Sequence, residues 1–323
     1  MEHILRINNL TVEFMTVRGI VYAVQGASLS LKQGEVLGIV GESGCGKSVM
    51  VKSILRLHRE KHTRYGGQIL IEGRDVLRLT QKEMGIVRGT DAGMVFQDPM
   101  ISLNPIIKIG EQIAETLRIR KSMSKRLAYD ESLRLLRQVG ITPPEDRYLQ
   151  YPFELSGGML QRVMIAMAIA LRPKILIADE ATTALDVTIQ AEILALLKRL
   201  RAERGMSLIV VTHDFGVVAE MCDSVCVMYA GEIVESGSVE RIFASPAHPY
   251  TKALIDSVPR PGTHGDKLSS IPGMPPDLLS VHTGCAFYPR CSVAEKCCET
   301  ERPELHSAGG AHIVRCERPI WKK

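Results

Sequence analysis

The sequence predicts an α/β protein organised around a phosphate-binding loop, and three observations carry this prediction. The pattern G-x-x-x-x-G-K-[ST] is matched by Gly41-Glu42-Ser43-Gly44-Cys45-Gly46-Lys47-Ser48, between an apolar strand-like segment and a helical one. Further apolar strand segments at 174–180 and 207–212 each lead into ionisable residues. Residues 106–150 instead carry helical periodicity and lack strand signals, which predicts a helical insertion in the α/β core.

Residues 4–32 come first and alternate apolar with polar side chains, as antiparallel strands do. A nucleotide base needs a flat side chain to stack on, and Tyr22 is the nearest aromatic residue before the glycine-rich stretch. We assign Tyr22 to this role, with Phe14 and Arg18 as alternatives.

Residues 41–48, called the phosphate loop below, have the composition that a triphosphate requires. A glycine-rich backbone can point successive N–H groups inward, and the following helix adds the positive end of its dipole. Lys47 supplies a cation for the β- and γ-phosphates, and Ser48 supplies a hydroxyl for Mg²⁺. The predicted nucleotide-binding residues here are Ser43, Gly44, Cys45, Gly46, Lys47, Ser48 and Val49.

The ends of the later strands supply polar and acidic side chains. Gln97 follows a short apolar strand, where its carboxamide can reach a metal ion or a water molecule. Asp179 and Glu180 end another strand, and buried paired acids are costly unless a cation or a proton transfer uses them. We assign Asp179 to Mg²⁺ and Glu180 to the general base that polarises the attacking water. His213 ends the strand at 207–212 and is predicted to hold water and γ-phosphate in line.

A second anion site is predicted where Leu155-Ser156-Gly157-Gly158 opens a helix that extends to Leu171. The predicted core then ends with a helix at 239–244, and the Pro- and Gly-rich residues 259–284 form a linker.

Composition limits the classes of function. The 323 residues are 45% apolar, which suffices for one large domain or two smaller ones. The net charge of +4, with acids and bases nearly balanced, argues against nucleic acid as the main partner. The first residues lead directly into strand-like sequence, and the longest apolar run, 163–171, is far shorter than the ~20 residues a bilayer requires. We therefore expect a cytosolic protein that reaches a membrane only through a partner.

The order of these motifs resembles that of the ATP-binding subunits of ABC transporters. The resemblance implies a P-loop, RecA-like ABC ATPase core with an antiparallel β subdomain, a helical subdomain at about 98–165 and a small C-terminal Cys-rich domain. It places the nucleotide-binding domain at 1–258, and a linker with a Cys-rich iron–sulfur domain at 259–323. No Asn-Lys-x-Asp guanine-binding motif occurs, which favours ATP over GTP.

Finer stretches at 96–105, 178–188, 245–251 and 271–276 are similar to the dipeptide, oligopeptide and nickel importer subfamily. That subfamily implies a head-to-tail pair of ATPase subunits, permease subunits, and an extracytoplasmic peptide-binding protein as an indirect partner. It implies a place at the cytoplasmic face of the cell membrane and no nucleic-acid partner. The residues it implies for action on the facing subunit are the signature residues Ser156, Gly157, Gly158 and Gln161, with Asp186 in the loop that couples the two sites.

Two positions depart from the subfamily pattern, Leu160 in place of a basic residue and Ala181 in place of proline. Neither removes a catalytic group. One alternative is a soluble ABC ATPase that acts on nucleic acid or ribosomes, but such proteins carry two cassettes or a long coiled coil, and this sequence has neither. A non-hydrolysing regulatory partner would lack Glu180, His213 or the signature, and all are present. The solute stays open between peptides and nickel.

Five of the eight cysteines crowd into residues 285–316, on a segment with too few apolar residues to fold alone. A reducing compartment favours metal or cluster ligands over disulfides. Cys285, Cys291, Cys298 and Cys316 lack the tight C-x2–4-C pairs that are usual in zinc sites. Their wider spacing favours a [4Fe–4S] cluster over zinc, free thiols or disulfides. Cys297 is an alternative ligand to its neighbour Cys298, and the family resemblance favours Cys298. The predicted ligands are Cys285, Cys291, Cys298 and Cys316.

Overall fold

The computed structural model describes residues 3–183, 185–258 and 271–320. It divides into two compact units. Unit 1 comprises Met1–Leu79 and Val210–Lys323, and unit 2 comprises Thr80–Ile209. Residues 259–270, the first part of the predicted linker, lie outside the described residues. Residues 271–320 are called the tail below, and they belong to unit 1.

Strands and helices alternate along most of the chain. The strands are β1 (His3–Thr16), β2 (Gly19–Lys32), β3 (Val36–Val40), β4 (Thr63–Ile71), β5 (Arg74–Asp75), β6 (Ala92–Val95), β7 (Ile175–Asp179), β8 (Ser207–Thr212), β9 (Ser224–Tyr229), β10 (Glu232–Ser238), β11 (His306–Gly309) and β12 (His312–Val314). The helices are α1 (Lys47–Ile54), α2 (Gln81–Ile86), α3 (Pro99–Ser102), α4 (Ile109–Lys121), α5 (Lys125–Gln138), α6 (Pro144–Tyr148), α7 (Gly157–Ile169), α8 (Val187–Arg204), α9 (Phe215–Met221), α10 (Val239–Ala244), α11 (Pro249–Asp256) and α12 (Cys297–Thr300).

The antiparallel strands predicted for residues 4–32 are confirmed in unit 1. β1 and β2 pair along their length, and the four strands of this sheet have the order β2-β1-β4-β5. Leu5, Ile7 and Leu10 of β1 are buried, so one side of the sheet contributes to an apolar core.

A second set of strands in unit 1 supports the phosphate loop. β3 pairs in parallel with β9, β9 pairs antiparallel with β10, and the tail strands β12 and β11 continue the sheet from β10. The adjoining core contains Val40, Tyr229 and Tyr250, together with Phe287 from the tail. The prediction that the core ends at residue 244 is therefore wrong, because α11 and the tail bury apolar side chains in it.

Unit 2 combines helices with the parallel pair β6 and β7. The predicted helical insertion is confirmed by α4, α5 and α6, whose buried faces include Ile113, Leu117 and Leu136. Helix α7 begins at Gly157, as predicted, but ends at Ile169 instead of Leu171. Arg172 adopts a left-handed φ of 56° and is followed by Pro173, and both features stop a helix. In the part of the chain described, no helix has the length and apolar character needed to cross a membrane.

Candidate functional site

The phosphate loop has its shape because backbone atoms approach it closely. Gly46 caps the start of α1 with a φ of 103°, and a Cβ at this position would lie 2.3 Å from the carbonyl oxygen of Ala23. At Gly41 a Cβ would lie 2.2 Å from the carbonyl oxygen of Met228. Since no side chain fits at either position, glycine is required for the loop to follow the backbone of its neighbours.

The side chain of Lys47 folds back onto the phosphate loop. The residue is 3% exposed, and its Nζ donates to the carbonyl oxygen of Gly41 at 2.8 Å and to that of Glu42 at 2.9 Å. Ser48 follows in the first turn of α1, while Ser43 and Gly44 are exposed. The loop thus combines a held ammonium group with an accessible rim, as phosphate binding requires.

Cys45, within the same loop, is a buried thiol. Burial raises its pKa above the ordinary value, so it stays protonated at neutral pH. The described cysteines form no disulfides.

Unit 1 also carries two more of the predicted site residues. Tyr22 lies in β2, where its backbone N–H donates to the carbonyl oxygen of Leu278 in the tail at 2.8 Å. It lines a groove together with Arg302 and Arg315, which also belong to the tail. His213 is exposed and lies directly after β8. The assignment of Tyr22 to the base and of His213 to the γ-phosphate stays a prediction.

Unit 2 brings the predicted base into contact with the predicted glutamine. Asp179 is fully buried at the end of β7, and Glu180 follows it at 9% exposure. Glu180 adopts a left-handed φ of 48°, a conformation that costs free energy and is typical of functional sites. Gln97 Nε2 donates to Glu180 Oε2 at 2.7 Å. Sequence reasoning assigned these side chains separately and did not predict this hydrogen bond.

The signature residues surround the start of α7. Ser156 caps the helix, since its Oγ accepts from the backbone N–H of Met159 at 3.4 Å, and Ser156 and Gly157 are exposed. A Cβ at Gly158 would lie 2.8 Å from Cγ2 of Ile189 in α8. The first turn of α7 therefore presents backbone N–H groups beside an exposed serine, as an anion site does.

Two further predicted residues, Asp186 and Gln161, also lie in unit 2. Asp186 caps α8, because its Oδ1 accepts from the backbone N–H of Ile189 at 2.9 Å. Gln161 is only 2% exposed, in contrast to Ser156, and its Nε2 has no hydrogen-bond partner among the residues that the structure describes.

The four predicted cysteine ligands line one cavity of about 20 Å³ in unit 1, together with His248 and Phe287. Cys297 is not among the residues that line it. Burial raises the pKa of Cys285 to about 11 and the pKa of Cys316 to about 12. Within the described ranges, no group of three or more His, Cys, Asp or Glu side chains is arranged to hold a metal ion. The four cysteines thus line one cavity with room for about one water molecule, and their assignment to a [4Fe–4S] cluster stays a prediction.

Sequence reasoning missed one contact of the phosphate loop. Arg290, from the tail, binds both carboxylate oxygens of Glu42, at 2.6 and 2.8 Å. The two residues are 248 positions apart, and no local pattern links them.

Two family models match the chain. One is described as ABC transporter and covers residues 24–183, and the other is described as Oligopeptide/dipeptide transporter, C-terminal region, and covers residues 234–298. Similar curated proteins include the dipeptide transport ATP-binding protein DppD of Bacillus subtilis, which is 49% identical over 98% of this chain and 95% of its own length. The oligopeptide transport ATP-binding protein OppD of Salmonella typhimurium is 45% identical, with 98% and 94% coverage.

A solved structure with a similar fold is the dimeric ATP-binding cassette MJ0796 bound to ADP and phosphate. It has a TM-score of 0.65 and 31% sequence identity, and the match covers 73% of this chain and 98% of that one.

Proposed function

The chain belongs to the ATP-binding proteins of dipeptide and oligopeptide ABC transporters, and from this membership we propose that it hydrolyses ATP to power the import of such peptides. The observation that carries the proposal is the carboxylate of Glu180, held in a strained backbone turn after a buried strand, in a chain that also has a complete phosphate loop.

The proposed chemistry assigns binding to one set of residues and proton transfer to another. Lys47 and the N–H groups of the phosphate loop bind the triphosphate and offset its negative charge. Glu180 accepts a proton from the attacking water, and its hydrogen bond to Gln97 orients the carboxylate. His213 holds the attacking water and the γ-phosphate in line.

Magnesium is proposed to bind Ser48, Gln97 and Asp179. Hydroxyl, carboxamide and carboxylate oxygens are hard ligands of the kind that Mg²⁺ prefers. When bound, Mg²⁺ offsets charge on the phosphate oxygens. This assignment rests on the chemistry of the three side chains and on their order in the sequence.

A head-to-tail pair of ATPase subunits is proposed as the active form, with a paralogue as the second subunit. In that arrangement, the signature residues Ser156, Gly157, Gly158 and Gln161 act on the facing subunit, where Ser156 and Gly158 contact the γ-phosphate of its nucleotide. Asp186 lies in the loop that couples the two sites. The similarity to a cassette solved as a dimer supports the pairing.

The remaining partners are proposed to be permease subunits, which hold the chain at the cytoplasmic face of the membrane. The helical insertion carries exposed apolar side chains such as Ile119 and Leu127, as expected of a surface that meets another protein. A peptide-binding protein acts on the outer side of the permease and does not touch this chain.

The tail is proposed to bind a [4Fe–4S] cluster through Cys285, Cys291, Cys298 and Cys316. This proposal is supported by the cavity that the four cysteines line, because Cys297 is not among its lining residues. A bound cluster would cross-link a segment that contributes few apolar residues to the core and would add folding free energy. A nucleotide-binding domain at 1–258 and a Cys-rich domain at 259–323, with a helical subdomain at about 98–165, remain the proposed organisation.

Replacement of the proposed base tests the proposed function. Glu180→Gln keeps the size of the side chain but removes the proton acceptor, so phosphate release should fall ~10²-fold or more while ATP affinity is retained. Glu203→Gln, on the exposed face of α8 in the same unit, is the matched control and should hydrolyse ATP at the wild-type rate. Near wild-type hydrolysis by Glu180→Gln would exclude Glu180 as the base.

A further inference from the structure

One ion pair ties the phosphate loop to the tail. Arg290 Nη1 donates to Glu42 Oε2 at 2.6 Å, and Nη2 donates to Oε1 at 2.8 Å, which is the two-bond geometry of a strong arginine–carboxylate pair. The Arg290 side chain is 4% exposed and that of Glu42 is 25% exposed, so solvent screens the pair only in part. We propose that Arg290 is a positioning residue for the nucleotide site, which holds the phosphate loop through Glu42 and couples ATP binding to the tail.

Glu42 is well placed to transmit this effect, because its backbone belongs to the loop. Its carbonyl oxygen is one of the two that accept from Lys47 Nζ. Its N–H donates to the Tyr250 hydroxyl at 2.8 Å. A displacement of residue 42 therefore moves an anchor of the lysine that is proposed to bind phosphate.

The guanidinium group of Arg290 also makes contacts outside the phosphate loop. Its Nε donates to the carbonyl oxygen of Pro272 at 2.8 Å, and Nη1 also approaches the Tyr229 hydroxyl at 3.3 Å. The guanidinium group lies over the Tyr229 ring, 5.8 Å from its centroid. These contacts orient the guanidinium group toward the Glu42 carboxylate.

The position of Arg290 in the chain connects it to the cysteine cavity. It ends a short 3-10 turn, Tyr288–Arg290, and Cys291 follows directly. The N–H of Cys291 donates to the carbonyl oxygen of Tyr288, and the N–H of Tyr288 donates to that of Cys285. A rearrangement of these two cysteines therefore moves the turn and the guanidinium group with it.

Charge gives the coupling its sign. The Glu42 carboxylate belongs to a loop that is proposed to receive a triphosphate, and an uncompensated negative charge there opposes binding. Arg290 offsets this charge and orders the side chain that carries it. An intact tail therefore favours ATP binding, and by thermodynamic reciprocity ATP binding favours the docked arrangement of Arg290.

This inference rests on the proposed binding of ATP by the phosphate loop, and its test separates the two. Affinity is measured by titrating the full chain with a fluorescent ATP analogue in the presence of Mg²⁺. If the wild type fails to bind, the proposed function fails. If the wild type binds and Arg290→Ala binds equally well, only the coupling fails.

The expected results form a double-mutant cycle. Arg290→Ala should weaken binding by about five- to tenfold, the lower part of the usual range for coupled sites, because Glu42 is partly screened. Glu42→Gln should weaken it by about two- to threefold, since an amide still accepts a hydrogen bond but no longer forms the charge pair. The double variant should bind more tightly than Arg290→Ala alone, because no uncompensated carboxylate remains. If the losses of ATP-binding free energy in Arg290→Ala and Glu42→Gln simply add in the double variant, the two residues do not act as a pair, and the proposal is overturned.

Further measurements keep the test decisive. Lys252→Ala breaks an exposed ion pair with Asp256 in the same unit and should leave ATP affinity unchanged. If Arg290→Ala does not fold, the ATP affinities of Arg290→Lys and Glu42→Gln are measured in its place. Wild-type ATP affinity in both variants overturns the proposal. ATP should also slow hydrogen exchange at the amides of Arg290 and Cys291, and unchanged exchange on saturation with ATP counts against the coupling.

Discussion

The phosphate loop and the tail both belong to unit 1, but they reach their geometry by different routes. The loop consists of consecutive residues, and two required glycines and the contacts of Lys47 with loop carbonyls define its shape. The tail cysteines span 285–316, and four of them line one cavity where Phe287 packs into a core made largely by other segments. The residues that would bind phosphate are adjacent in sequence, although Arg290 of the tail also binds Glu42 of the loop. The proposed ligands of the tail are scattered in sequence, and their arrangement depends on the surrounding fold.

The largest expected effect tests the local character of the loop. Lys47→Ala removes the buried ammonium group, and ATP affinity should fall by ~10²-fold or more, because hydrogen bonds to a charged group are among the strongest. The iron content of anaerobically purified protein should not change. Lys52→Ala, later in α1, is the control and should bind ATP normally. Loss of iron in Lys47→Ala would show that the two regions are not built independently.

The next effect concerns a single ligand of the tail. Wild-type protein purified without oxygen should contain about four iron atoms per chain, as a [4Fe–4S] cluster requires. Cys298→Ser should lose most of this iron, while Cys297→Ser, one residue away and outside the cavity, should keep it. The ATP affinity of Cys298→Ser should fall by no more than that of Arg290→Ala. Equal iron in the two serine variants would contradict the ligand assignment, and stoichiometric zinc without iron would replace the cluster with a zinc site.

A smaller effect is expected when the packing of the tail changes but its ligands do not. Phe287 is 3% exposed and packs against Tyr229 and Tyr250, with ring centroids 5.2 and 5.3 Å away. Phe287→Ala should cost about 3 kcal/mol of stability locally, as in other cores. Its iron content should lie between those of the wild type and Cys298→Ser, measured on protein with native circular dichroism. Wild-type iron would mean that the thiols assemble without help from the core.

The sequence predicted the parts of the molecule that depend on neighbouring residues. Apolar alternation identified β1 and β2, and continuous apolar runs identified β7 and β8. The phosphate loop could be predicted for the same reason, since its glycines, Lys47 and Ser48 are consecutive. The assignment of four cysteines to a cluster came from their wide spacing, with Cys298 chosen by the family resemblance, and it stays a prediction although all four line one cavity.

Contacts between distant residues could not be predicted. The bond from Gln97 to Glu180 joins two strand ends, and the pair of Glu42 and Arg290 joins the loop to the tail. The tail seemed unable to fold alone because it is poor in apolar residues, and in the structure its few apolar side chains complete a core that other segments supply. Single-sequence patterns report on local preference, whereas these contacts depend on the tertiary fold.

The hairpin β11–β12 has a consequence for the behaviour of shortened chains. It pairs with β10 through Glu235 and Ser236, whose partners are Val314 and Ile313. Without the tail, this side of β10 would present unpaired N–H and C=O groups, which is the kind of strand edge that recruits other chains into aggregates. A chain cut after residue 258 would therefore lose a protective cover as well as five of the eight cysteines, and its solubility would be at risk even where its nucleotide chemistry survives.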